Sequence, residues 1–348
     1  MTLFVFSYVN KVINPSMAAV ADHVLDHVTD HVTDDARQLH NQLWGIPRWS
    51  THVPVATPVS LGREDLSTVL TGGYVVASKT DGERCVLVVG ALAHALGTTY
   101  AVRFDRAGTA TVLGLRTVSR VALEAVAPAA DPCEGTLLDC EWVAETRELV
   151  LLDALVVCGY DLKPVADLHR RLALGLAVGR GLQLVDASGP VHIVGKAFVA
   201  LDKVTSVDPA THADGLVFMP AYAPAPRGRA TDMFKWKPVH TVDAMFHQGR
   251  LVFLRDAAWV PIGDLGLRVD DTAMCHEGSV YELAPADGGD VTDDATEPGE
   301  VTEAPFRVVC MRADKAGNPN QVDTVVSSLR HMAEGVGLAE LHTLIKAG

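Results

Sequence analysis

The chain has 348 residues, 48% of them hydrophobic and 21% charged, a composition that suits two globular domains and argues against a disordered chain. Its net charge of -14, from 29 Lys plus Arg against 43 Asp plus Glu, argues against a protein that coats nucleic acid by overall attraction, so any RNA contact has to be local. Apolar stretches are broken by Gly, Pro or charge within about 10 residues, where a bilayer crossing takes about 20, so no membrane partner is expected. The apolar start at 1–12 lacks the basic leading region and cleavage site of a secretion signal. The cysteines at 85, 133, 140, 158, 275 and 310 form no CxxC pair, which speaks for a reducing compartment without a zinc site or a disulfide framework.

In chain order, residues 22–35 read DHVLDHVTDHVTDD, a repeat that puts His23, His27 and His31 on one face if helical. Neither an HExxH motif nor a cysteine cluster accompanies them, so a solvated extension is expected over 1–43. From Trp44 onward come β-branched runs, YVVAS, CVLVVGAL, TATVLGL, LVLLDALVV and GLVFM, which predict the strands of a mixed α+β domain over 44–238. After Pro238, AMFHQGRLVFLR, AWVPIG, SVYELA and FRVVCMR predict a small β-barrel over 239–321, interrupted at 285–305 by an acidic loop. Over 322–348, Val322, Val325, Val326, Leu329 and Met332 have helical spacing and predict one or two terminal helices packed on one of the domains.

The strongest chemical signal is Lys79-Thr-Asp-Gly-Glu-Arg84, between the runs YVVAS and CVLVVG. Gly82 permits a close approach that a side chain would block, and Lys79 stands at a strand end where a phosphorus atom can meet its amine. Taken alone, the segment also reads as an exposed charged hairpin.

Further elements follow in order: Leu138-Asp-Cys-Glu-Trp142, Leu151-Leu-Asp-Ala-Leu155, Asp214-Gly-Leu-Val-Phe218 and Phe234-Lys-Trp-Lys-Pro238. With Lys79 they make the sequence resemble the covalent nucleotidyltransferase superfamily of mRNA capping enzymes and ATP-dependent polynucleotide ligases. Arg312-Ala-Asp-Lys315 with Asn318-Pro-Asn320, Pro58-Val-Ser-Leu61 and Lys-Trp-Lys-Pro resemble the capping branch. The resemblance implies an α+β fold, with a nucleotidyltransferase domain of antiparallel sheets flanked by helices and an OB-fold barrel.

It also implies a reaction in which Lys79 attacks the α-phosphorus of GTP and the GMP then passes to a 5'-diphosphate RNA. A lysine amine is protonated at neutral pH, so the nucleophile needs cationic neighbours or burial, which Lys235, Lys237 and a Mg2+ or Mn2+ ion would supply. By resemblance Asp214, with Glu141 as a second candidate, holds the metal, and Arg312, Asp314 and Lys315 orient the phosphates. Thr80, Asp81, Arg84, Arg106, Glu141, Leu152, Val217, Lys235 and Lys237 line the nucleotide, with Arg84 and Glu141 at the ribose. In Val194-Gly-Lys196-Ala-Phe198, Lys196 falls where the family faces the guanine carbonyl, although an ordinary solvated lysine fits the local sequence as well. Two departures stand out: Leu152 replaces a phenylalanine common in capping enzymes, and Cys140 a common glycine.

Two other readings share the pattern. An ATP-dependent RNA or DNA ligase would lack the match at 312–315, and an inactive RNA-binding subunit would lack Lys79 or Asp214. No phosphatase signature or glycine-rich methyl-donor site is evident, so separate RNA triphosphatase and cap methyltransferase partners are expected. The compartment is then the nucleus, or a cytoplasmic factory if the source is viral.

Overall fold

The computed structural model describes residues 15–48, 50, 53–92, 99–118, 121–123, 127–207, 213–269, 271–286 and 304–347. Within these ranges it describes no side chain at 15–29, 116–118, 121–123, 127–130, 213, 304, 314 or 347. The chain divides into one unit of residues 1–59 and 72–234 and a second of 60–71 and 235–348. Residues 60–71 thus group with the second unit. Among the described residues no helix is long and apolar enough to cross a membrane.

The first unit starts with helix α1 (Pro15–Trp44) and strand β1 (Thr57–Ser60); helix α2 (Leu66–Thr71) then falls in the second unit. The chain continues with β2 (Tyr74–Thr80), β3 (Glu83–Ala91), β4 (Thr99–Asp105), β5 (Ala110–Val118), β6 (Val121–Leu123), β7 (Ala127–Ala130), β8 (Thr136–Val143), β9 (Glu148–Val157) and β10 (Tyr160–Asp161). Helix α3 (Leu168–Gly181) precedes β11 (Leu182–Asp186), β12 (Gly189–Gly195), β13 (Val199–Ala200), β14 (Ala213–Pro220) and β15 (Arg229–Trp236).

One sheet has the order β1-β15-β14-β2-β13 and a larger one β10-β9-β12-β11-β5-β4-β3-β8, with β8 also paired to β9. Pairing in the larger sheet is antiparallel except between β12 and β9, which run parallel. Its central strands read as unbroken apolar runs because both faces are covered. Successive β3 residues feed opposite cores: Cys85, Leu87 and Val89 join one with Leu168 and Leu172 of α3, while Val86 and Val88 join another with Val32, Ala36 and Trp44 of α1.

The expected solvated extension is therefore only part of the picture. From Val32 onward α1 packs on the sheet, and the Arg37 guanidinium lies 3.9 Å from the centre of the Phe104 ring. The end of this helix is held by cations, as its dipole favours: Lys163 Nζ donates to Leu43 O at 2.8 Å and Arg227 to Trp44 O. His31 is exposed, and the side chains of His23 and His27 lie outside the described residues.

The second unit contains β16 (Val242–His247), β17 (Arg250–Arg255), β18 (Ala258–Pro261), β19 (Leu267–Val269), β20 (Val280–Pro285) and β21 (Ala304–Met311), in the order β18-β17-β16-β20-β21-β19. They form the OB-like barrel around Val242, Ala244, Phe253, Leu283 and Phe306. The terminal helices are α4 (Val322–Ala333) and α5 (Leu338–Ala347), and Val322 and Val325 of α4 complete this same core. The acidic segment 287–303, between β20 and β21, lies outside the described residues.

Candidate active site

Lys79 sits near the end of β2, and the two residues after Thr80 carry the chain from the smaller sheet to β3 of the larger one. The segment is thus a corner between sheets and not the hairpin that its sequence allows. Gly82 makes the corner possible, since a Cβ there would lie 2.7 Å from Trp142 O and 2.9 Å from Glu141 Cγ. The close approach is to the backbone of β8, which has no freedom to move aside.

Opposite Lys79, the pairing of β14 with β2 skips. Ala213 faces Thr80 and Leu216 faces Ser78, so Asp214 and Gly215 together oppose the single residue Lys79. Gly215, with φ 149°, lies in the region that favours glycine. Such a bulge re-aims a side chain, and here Lys79 Nζ donates to Asp214 Oδ1 at 2.6 Å. The two side chains keep 24% and 31% of their surface exposed, so the pair is accessible to a ligand.

Two other strands, β3 and β8, and the turn after β12 complete the group. Arg84 and Glu141 are register partners across β3 and β8, yet Arg84 forks onto Asp139, both bonds 2.7 Å, and makes a largely buried pair, its side chains 19% and 5% exposed, in place of a surface one with Glu141. Lys196 is buried, which removes the solvated-lysine reading, and its Nζ donates to Thr80 Oγ1. Burial first, then the charges of Lys79 and Arg84, bring the Lys196 ammonium down to about 8 against the pull of Glu141 and Asp214. Burial likewise raises Glu141; Arg84, Lys196 and Lys79 oppose the rise and Asp214 adds to it.

Beside this group lies a cleft lined by Arg84, Asp139, Leu152, Phe198, Val217 and Met233 among others. Leu152 reaches it through another irregularity. Asp139 pairs with Asp153 and Cys140 with Leu151, so Leu152 is the unpaired residue of a bulge in β9. Asp153 is itself buried and held by Arg171 of α3 at 2.7 and 2.9 Å. Asp139, Asp153, Arg171 and Phe198 were not foreseen as site residues. The available signal was an acid inside each of the apolar runs LLDCEWV and LVLLDALVV, since a buried carboxylate needs a partner.

The first unit thus brings Lys79, Thr80, Arg84, Glu141, Lys196 and Asp214 together, with Leu152 and Val217 in the adjoining cleft. Asp81 is exposed in the corner, and Arg106 is exposed in the turn after β4. Lys235 and Lys237 belong to the second unit, where burial first, then the charges of His331, Lys237 and Lys235, push His240 down to about 4. There too Arg312 Nη1 donates to Asp243 Oδ1 at 3.3 Å and Lys315 Nζ to Asp243 Oδ2, a buried acid that sequence reasoning also missed. The side chain of Asp314 lies outside the described residues.

Among the described residues no group of three or more His, Cys, Asp or Glu side chains gathers as a metal cage. Asp214 and Glu141 are nonetheless close enough for the charge of one to raise the other. Two carboxylates that leave further positions to water or phosphate oxygens fit a hard divalent cation.

Residues 23–174 match the family model described as mRNA capping enzyme, catalytic domain. The match includes Lys79, Arg84, Glu141 and Leu152; Lys196 and Asp214 lie beyond it. Among solved structures, the chain is similar to a mycobacterial DNA ligase D complexed with ATP and MES, with 13% identity over 77% of this chain and 97% of that one and a TM-score of 0.40. It is also similar to the ATP-dependent DNA ligase from bacteriophage T7 in complex with ATP, with 12% identity over 76% and 100% of the two chains and a TM-score of 0.34.

Proposed function

We propose that this nucleotidyltransferase is an mRNA guanylyltransferase, which takes GMP from GTP onto Lys79 and passes it to the 5'-diphosphate end of RNA. The observation that carries the reading is the convergence of Lys79, Asp214, Glu141, Lys196 and Arg84 on one corner, although their positions span 135 residues between Lys79 and Asp214 alone.

In the first step the Lys79 amine forms a bond to the α-phosphorus and the bond to pyrophosphate breaks. Lys79 gives up a proton, for which Asp214 Oδ1 lies in hydrogen-bond reach. In the second step a terminal phosphate oxygen of the RNA attacks the same phosphorus, the P–N bond breaks, and Lys79 leaves as the amine and takes a proton back. Asp214 and Glu141 would hold Mg2+ or Mn2+, whose charge offsets that of the phosphates. Arg84, with Nε and Nη2 engaged by Asp139, keeps Nη1 for the ribose, and Glu141 offers it an acceptor. Lys196 donates to the guanine carbonyl, where adenine presents an amino group and leaves such a donor unpaired. In the second unit, Lys235, Lys237, Arg312, Asp314 and Lys315 are assigned to the phosphates by resemblance.

The test is to incubate the full chain with [α-32P]GTP or [α-32P]ATP and then add RNA with a 5'-diphosphate end or a nicked duplex. Labelling by GTP and transfer to the diphosphate RNA support the reading. Labelling by ATP with sealing of the nick would replace it by the ligase reading.

A further inference from the structure

We infer that Phe198 supplies the aromatic face of the base pocket, so that one short turn carries both the stacking ring and the Lys196 amine; the inference rests on the nucleotidyltransferase reading above. The cleft that Arg84 borders is lined by Leu152, Val217, Met219, Met233 and Phe198, and Phe198 is the one aromatic ring among its described lining residues. A purine is a flat π-system whose contact with a ring is stronger and more orienting than its contact with an aliphatic chain. Leu152, although aimed into the cleft by its bulge, offers apolar contact alone.

The backbone fixes where the ring stands. Lys196 N donates to Leu151 O at 3.0 Å, which ties the turn to β9 beside Leu152. Phe198 N donates to Lys196 O at 3.0 Å, which closes the turn on itself. The next two residues, Val199 and Ala200, pair with Val76 and Val75 of β2, the strand that carries Lys79. Segment 196–200 is therefore fastened at one end to the strand that carries Leu152 and at the other to the strand of the nucleophile. A base stacked on Phe198 and bonded to Lys196 is held in a fixed relation to the attacking amine. Pocket and nucleophile share one frame.

Phe198 also packs against the core of its unit, so the test separates the ring's face from its bulk. GTP binding to the full chain is measured by calorimetry for wild type, Phe198→Leu, Phe198→Tyr and Leu152→Ala, with thermal melts as the control for folding. Phe198→Leu is expected to weaken GTP binding about 5- to 150-fold, the span of base–aromatic stacking, Phe198→Tyr to stay near wild type, and Leu152→Ala to lose less than Phe198→Leu. Phe198→Leu binding as wild type does, or Phe198→Tyr failing equally while folded, overturns the inference. A measurement that needs no variant is the nuclear Overhauser contact between labelled Phe198 ring protons and the base protons of bound GTP; its presence supports the stacking and its absence overturns it. A wild type that binds GTP yet forms no lysyl adduct defeats the transferase reading and leaves the ring assignment standing, whereas normal adduct formation with an unimpaired Phe198→Leu defeats the ring assignment alone.

Discussion

Lys79 faces a two-residue bulge in the neighbouring strand, and Asp214, the first residue of that bulge, accepts a hydrogen bond from its amine at 2.6 Å. Regular pairing would place one residue opposite Lys79; the bulge places Asp214 and Gly215 there instead and turns the carboxylate to the Lys79 amine. Strand irregularity, more than any loop, builds this corner, and Leu152 reaches the adjoining cleft by the same device.

Asp214→Asn is expected to separate chemistry from stability. The pair is partly exposed and contributes about 0.2–1 kcal/mol, so the melt should barely move. Lysyl-adduct formation should fall by about 100-fold or more, the scale of losing a positioned proton acceptor. Thermal melts beside adduct assays check both halves, and a large loss of stability with normal labelling would contradict them.

Gly82→Ala should damage the corner from the side of packing. The added Cβ would meet Trp142 O at 2.7 Å, and backbone oxygen of a sheet strand cannot swing away as a side chain can. A cost of about 1–3 kcal/mol is expected from the overpacking, together with weaker adduct formation as Glu141 is displaced. Denaturant unfolding and labelling assays read the two effects.

Asp139→Ala would leave Arg84 buried without its bidentate partner. Losing one member of a buried ion pair costs about 3–5 kcal/mol, a larger effect than Asp214→Asn should have. Urea unfolding of the two variants ranks them, and equal stability would show that Arg84 finds another partner.

Lys196 gives the site a pH dependence whose sign can be stated. Burial lowers its ammonium to about 8 in the folded chain, so between about 8 and the usual 10.5 the unfolded chain binds more protons. The stability penalty of burying this charge is fully present below about pH 8 and fades as pH rises toward 10.5. GTP binding should weaken above pH 8 as the charge is lost, and Lys196→Ala should flatten that part of the profile. The same variant is expected to lower GTP use about 10- to 150-fold and ATP use far less, which adduct formation with both nucleotides decides. An equal loss for both nucleotides would show that Lys196 does not read the base.

Much of the site was legible because its residues break the pattern of their strands. Lys79 ends an apolar run, Asp214 begins one, and Glu141 interrupts another, so all three stood out in one dimension. The bulges did not, since an extra residue is defined only against the partner strand, and the strand opposite Lys79 lies far along the chain. Asp139 and Asp153 were visible as acids in apolar strands, but their arginines, 55 and 18 residues away, were not. The repeat DHVLDHVTDHVTDD looked solvated from its polar content, yet Val32 within it and Ala36 and Trp44 beyond it are buried against the sheet. Phe198 was passed over because a lone phenylalanine in a strand-like run usually signals core, and here it belongs to both core and cleft.

The central claim is that Lys79 carries GMP. Its most direct test is mass spectrometry of the full chain incubated with GTP and a divalent cation, digested and mapped by peptide, for wild type and Lys79→Ala. The expected result is a phosphoramidate-linked GMP on the peptide containing Lys79 in wild type, none in the variant, and an unchanged thermal melt. GMP found on another lysine, or adduct at wild-type level in Lys79→Ala, would contradict it.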